Sequence, residues 1–191
     1  MRVLNLFVIS FVLLASCNIG TQKSDKKEKV TEQKSEQKKE YVTVFLDIDF
    51  VGDVQIYDKP EGKVISVVRN NAEEESFVMF DLLQKKDEMF YVVAHTSLEG
   101  DTIAEGWIFR NEHIGIYDRM YNPEKNPLLL YKYPDTTSQI IVSKRYYDPV
   151  MHEVTDFSGK WLKVKTVIND KWYEGWLAPE MQCSNVYSTC N

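Results

Sequence analysis

From residue 41 onward the chain alternates apolar and polar positions with a period of two. Val42, Val44, Leu46, Ile48 and Phe50 interleave with Thr43, Phe45, Asp47 and Asp49, the signature of a half-buried β-strand. Gly52-Asp53 turns the chain into a second strand around Val54 and Ile56. Pro60-Glu61-Gly62-Lys63 is a further turn: Pro presets one dihedral and Gly tolerates a positive one. Strands follow at Val64–Val68, Phe77–Leu83 and Met89–His95, then a polar loop over 97–101 and the run Glu105-Gly106-Trp107-Ile108. The plan then recurs. Leu128–Tyr131, Gln139–Lys144, Val150–Phe157 and Trp161–Val167 read as strands, and Asn169-Asp170 leads to Trp172-Tyr173 and a second run, Glu174-Gly175-Trp176-Leu177. No stretch after residue 40 has the 3.6-residue period of an amphipathic helix. Short strands at close spacing with Gly and Pro turns predict an all-β fold of small antiparallel barrels.

The recurrence is an internal repeat, and such repeats decide architecture. Tyr57 and Pro60 open the first copy, Tyr131 and Pro134 the second; Trp107 and Trp176 close them. The Tyr-x-x-Pro openings, the following strands, the Trp161-Leu162-x-Val164 pattern and the closing Gly-Trp resemble bacterial SH3-like barrels, with Phe90-Tyr91 of the first copy standing where Trp161-Leu162 stands in the second. The resemblance covers 45–118 and 127–182. It implies two barrels in tandem (41–120 and 127–182) acting as envelope binding modules for a peptide, a cell-wall component or a protein partner. Tyr57, Trp107, Tyr131 and Trp176 are the candidate ligand-binding aromatics, since grooves for extended peptides are aromatic-lined; packing inside each barrel explains the same residues.

Before residue 41 the pattern is different. Met1-Arg2 precedes an apolar run from Val3 to Ala15, then Ser16-Cys17. A positive start, a short apolar core and small residues at its end make a secretory leader over 1–16, too short for a spanning helix of about 20 residues. Leu14-Ala15-Ser16-Cys17 resembles the lipobox of bacterial lipoproteins, which implies cleavage before Cys17 and acylation of that residue. Two or more acyl chains hold a protein on a bilayer stably. Residues 17–40 then form a Lys/Glu/Gln tether with almost no apolar side chain, a composition that does not fold by itself. The expected location is the bacterial envelope, on the outer membrane rather than the inner, with Asn18 after the Cys as the family-based reason.

Charge narrows the partners. The 191-residue chain carries a net charge of −6. The tether holds seven Lys and five acids and the leader one Arg, so 41–191 keeps fifteen basic and twenty-four acidic residues. A body this acidic is repelled by polyanions, so nucleic acid is not an expected partner. With Cys17 acylated, two cysteines remain for an oxidising compartment. Cys183 and Cys190 are expected to pair, closing a C-terminal hairpin over 183–191. A metal site with two thiols and no nearby His is the poorer alternative, and a free thiol pair the other.

Catalytic constellations are missing. There is no Gly-x-Ser-x-Gly elbow. His152-Glu153 approaches a zinc motif, but Asp156 stands at the second His position. Asp47-x-Asp49 and Gly52-Asp53 resemble a calcium loop only in part, and exposed strand faces account for the same acids. The sequence therefore predicts a protein without cofactor or metal that binds rather than turns over. An assembly subunit packing on another envelope protein is the alternative, and the oligomeric state is left open.

Overall fold

The computed structural model describes residues 41–188 and 190. The leader, Cys17 and the tether lie outside the described residues. The described chain is all β apart from one 3-10 turn, Pro179–Met181. Thirteen strands run β1 Val42–Leu46, β2 Val54–Tyr57, β3 Val64–Val68, β4 Val78–Lys86, β5 Met89–Thr96, β6 Thr102–Phe109, β7 Ile114–Asp118, β8 Leu128–Tyr131, β9 Ile140–Lys144, β10 Met151–Ser158, β11 Trp161–Ile168, β12 Lys171–Leu177 and β13 Gln182–Cys183.

These strands pair antiparallel in one continuous order, β3-β2-β6-β5-β4-β1-β7-β10-β11-β12-β8-β9, with β13 added to β7. The path is open, so the two closed barrels in tandem anticipated from the resemblance are not what the hydrogen bonding forms. The internal repeat is nevertheless present. Read outward from the centre, β1-β4-β5-β6-β2-β3 matches β7-β10-β11-β12-β8-β9 strand for strand. Tyr57 pairs with Trp107 and Tyr131 with Trp176. Both opening strands end in a bulge at the Tyr, and both central hairpins carry one, between Leu82 and Gln84 and between Val154 and Asp156. Because bulges recur at equivalent places, the two six-stranded sets share a register and not merely a strand count.

Two sequence expectations change. The first strand stops at Leu46 rather than continuing to Phe50, because Asp47 turns the chain: its carboxylate accepts the amide of Asp49 at 3.1 Å and its carbonyl that of Phe50 at 2.9 Å. Ile114–Asp118, placed by sequence at the end of the first unit, is the second set's counterpart of β1. It pairs with β10 through Ile116 and His152 as β1 pairs with β4 through Val44 and Phe80. The sets meet edge to edge where Phe45 faces Gly115 and Leu46 faces Ile114. One apolar core spans both, including Phe45, Phe80, Phe90, Ile116, Leu130 and Val164.

The closing Gly-Trp has a steric reason. A Cβ on Gly106 would lie 2.6 Å from the Tyr57 carbonyl oxygen and 2.7 Å from Ile56 Cγ2. At Gly175 the nearest atoms stand farther off, Leu130 Cβ at 3.0 Å and the Tyr131 carbonyl oxygen at 3.2 Å. Crossing strands need bare backbone here, more tightly in the first set. Gly106→Ala should therefore cost about 2–3 kcal/mol and Gly175→Ala under about 1 kcal/mol, measured by urea unfolding. Equal losses would show that the difference in approach has no energetic meaning.

Candidate functional site

The register lets each buried position of one set be compared with its counterpart. Four of them change character. Leu46, Val68, Phe80 and Ala94 form part of the first set's core; Asp118, Lys144, His152 and Thr166 occupy the matching places in the second. None of the eight is more than 4% exposed. An apolar quartet has become a buried polar one.

The polar quartet is bonded inward. Lys144 Nζ donates to Asp118 Oδ2 at 3.4 Å and to the Asp148 carbonyl at 2.7 Å. His152 Nδ1 shares a 2.8 Å hydrogen bond with Thr166 Oγ1, and its Nε2 lies 4.0 Å from Asp118 Oδ2. Burial pushes the His152 pKa down to about 3, and the Lys144 ammonium adds to the shift. Burial raises the Asp118 carboxyl above its ordinary value, against the pull of Lys144. His152 is thus a neutral imidazole at neutral pH.

This cluster holds the loop between β9 and β10. Besides gripping the Asp148 carbonyl, Lys144 Nζ sits 5.4 Å from the centre of the Tyr146 ring. Tyr121 donates its hydroxyl to the Tyr146 carbonyl at 2.7 Å, and the Asn169 amide reaches the Tyr146 hydroxyl at 3.3 Å. Asn169 and Asp170 both adopt positive φ, 50° and 60°, as a two-residue hairpin turn between β11 and β12 requires. The loop and the hairpin enclose a cleft of ≈ 470 Å³, with Tyr146, Asp148, Thr166 and Trp172 among its walls. Trp172 is 66% exposed, the most exposed large aromatic among the described residues. Glu112, Asp148, Glu153 and Asp170 also line the cleft, against the single cation Lys165. Lys165 Nζ stands 4.9 Å over the Trp172 ring and 3.5 Å from Glu153 Oε2.

The aromatics expected from sequence lie elsewhere. Tyr131 and Trp176 are each only 9% exposed and form a small core of their own with Ala178, against which Leu129 and Trp161 pack. Trp161 meets Tyr131 edge-on at 5.7 Å. In the first set, Trp107 packs at 5.3 Å from Tyr91, and Tyr57 meets Phe109 edge-on at 5.6 Å. Each Tyr is joined to its Trp by strand pairing, but none of the four lines the cleft. The expected Cys183–Cys190 disulfide is present, with S–S 2.02 Å and Cα–Cα 5.6 Å. A loop this short gains about 2.5 kcal/mol from closure in the chain-entropy model. It fixes a segment whose Tyr187 shares a 2.6 Å hydrogen bond with Ser97 of the first set.

The sequence pattern gives Trp172 and Tyr146 no motif, and it shows His152 of the polar quartet only as half of an incomplete zinc motif. The available signal was the repeat itself: aligned on the shared bulges, His152 falls on Phe80, and Trp172 falls where the first set bulges Thr102-Ile103 opposite His95.

No protein-family model and no curated protein matches the chain. Among solved structures it is similar to NlpC1 from Trichomonas vaginalis, at 11% identity and a TM-score of 0.31, covering 78% of this chain and 47% of that one. It is similar also to NlpC2 from Trichomonas vaginalis, at 10% identity and a TM-score of 0.31, covering 76% of this chain and 48% of that one. The chain thus spans about half the length of each, and a likeness of this size carries neither fold nor function across.

Proposed function

We propose that this chain is a non-catalytic, membrane-anchored envelope lipoprotein, and that its second six-stranded set binds a peptide or cell-wall ligand in the cleft beside Trp172. The observation that carries this reading is the exposed Trp172 facing a loop that a buried polar cluster holds in place. Aromatic surface kept in water while the loop beside it is tied down from below is the economy of a recognition site: little ordering is left for the moment of binding. Acylation of Cys17 in the Leu-Ala-Ser-Cys motif supplies the anchor.

The alternative, an assembly subunit, has its own support. Both outer edges of the sheet carry exposed apolar side chains, Val64, Ile65 and Val67 on β3 and Ile140 and Ile141 on β9. Unpaired apolar edges invite another chain.

One experiment separates the readings. Full-length protein is displayed on vesicles and offered solubilised cell-wall fragments and short peptides. Trp172→Ala should weaken the bound fraction at least about tenfold, as loss of an aromatic anchor does, while Ile65→Lys leaves it unchanged. Binding that survives Trp172→Ala and is lost with Ile65→Lys would give the assembly reading instead. Cys17→Ala should release the protein from the vesicles; retention would remove the anchor.

A further inference from the structure

From the geometry of Lys165, Trp172 and Glu153 we infer that the cleft recognises a primary ammonium group, the side chain of a lysine-type residue in an extended peptide, and that Lys165 is a built-in competitor for that place. The inference rests on the proposed ligand-binding reading of this cleft and names the chemistry of the ligand.

Three observations converge. Four carboxylates and one ammonium line the cleft, so an incoming cation gains and an anion is repelled. Trp172, the strongest cation–π acceptor among side chains, presents its exposed ring there. The place is already filled from within: Lys165 Nζ stands 4.9 Å over that ring and 3.5 Å from Glu153 Oε2. The protein's own side chain demonstrates that an ammonium fits between this indole and this carboxylate. Lys165 remains 45% exposed at its side chain. It can swing into water at small cost, because its stem is flexible and its head is strongly hydrated.

The first set supplies the control. At the matching places it carries Val93 for Lys165 and, for Trp172, the bulged Thr102-Ile103 opposite His95, while Asp81, the counterpart of Glu153, is taken up by the Thr43 hydroxyl at 2.6 Å and by His95 at 3.4 Å. Only the second set combines an exposed indole with a carboxylate engaged by nothing stronger than a loose ion pair.

The test uses the full-length chain carrying Cys17→Ala, with tryptophan fluorescence and calorimetry as readouts. The probes are acetyl-Gly-Lys-Gly-amide, its norleucine counterpart, which keeps the aliphatic stem without the charge, and its glutamate counterpart. The lysyl probe should quench a signal that Trp172→Phe removes, and should bind about tenfold more tightly than the norleucine probe. The glutamate probe should not bind. Lys165→Met should strengthen lysyl binding about threefold to tenfold, because the competitor is gone, while Glu153→Gln weakens it. Equal binding of lysine and norleucine probes, or weaker lysyl binding in Lys165→Met, would overturn the inference and leave the cleft as an uncharged-ligand site. If cell-wall fragments also fail to bind, the ligand-binding reading of the cleft falls with it.

Discussion

Replacing Lys144 by Val, the residue at the matching place in the first set, should destabilise the protein by about 3–5 kcal/mol. The substitution looks conservative for a core position and is not. Lys144 is 1% exposed, and it is the cation paired with Asp118, whose own exposure is 0%. Removing one partner leaves a buried carboxylate uncompensated, and that penalty is what such mutations measure. It also frees the Asp148 carbonyl and with it the loop that carries Tyr146, so lysyl binding in the cleft should fall together with stability. The fourfold change Asp118→Leu, Lys144→Val, His152→Phe and Thr166→Ala should behave in the opposite way. It installs the first set's apolar quartet on matching backbone, removes every buried charge at once, and should return stability to the starting value or above. Urea midpoints of the single and fourfold variants decide the matter. If the fourfold variant is no more stable than Lys144→Val, the correspondence between the two sets does not extend to their packing.

Acid should weaken the fold through His152. In the folded chain its pKa is about 3; unfolded, it returns to about 6.5. Above pH 6.5 the imidazole is neutral in both states and contributes no pH dependence. As pH falls from 6.5 toward 3, the unfolded chain takes up a proton that the folded chain refuses, so stability drops through that window by roughly 4 kcal/mol in all. Asp118 acts in the other direction. Its folded pKa is raised, so the folded chain binds that proton first, and stability rises as pH falls from the raised value toward the unfolded one. Within the buried cluster the net change is therefore the His152 loss less the Asp118 gain. His152→Gln should flatten the curve between pH 6.5 and 4 relative to wild type, measured as the difference in unfolding free energy at several pH values. Parallel curves would mean that His152 is already accessible to protons in the native state.

How far the sequence carried this far depends on the kind of signal each feature leaves. Alternation located most strands, because a face packed on the core and a face in water differ at every second residue. It overextended β1 through Asp47 and Asp49, since a strand and an Asx turn share polar residues and only the hydrogen bonds distinguish them. It missed β7 as a pairing partner, because Ile114-Gly115-Ile116-Tyr117-Asp118 is too short to announce which unit it joins. The repeated Tyr and Trp were found but assigned no single role, and two of them prove to be core. Trp172 follows the Asn169-Asp170 loop, one residue before Tyr173, and alternation gives it no distinct role. What sets it apart is position within the repeat: a large exposed indole where the sister set bulges Thr102-Ile103. That contrast needs the register, and the register needs the bulges at Tyr57, Leu82, Tyr131 and Val154, which no local pattern reveals.

The placement of β1 has a mechanical consequence. The first described strand is not at a margin of the sheet; it lies between β4 and β7, bonded on both sides. A pull applied through the residues that precede Val42 enters the sheet along this interior strand. The load then falls on its flanking hydrogen bonds in shear, several at once, rather than peeling a marginal strand one bond at a time. The far end of the chain returns to the same region, where β13 pairs with β7 and the Cys183–Cys190 bond closes the hairpin. Force entering through the residues before Val42 is therefore borne at the seam between the two sets, and the cleft beside Trp172 is coupled to that seam through β10, whose Met151 and Glu153 both line the cleft and pair with β7.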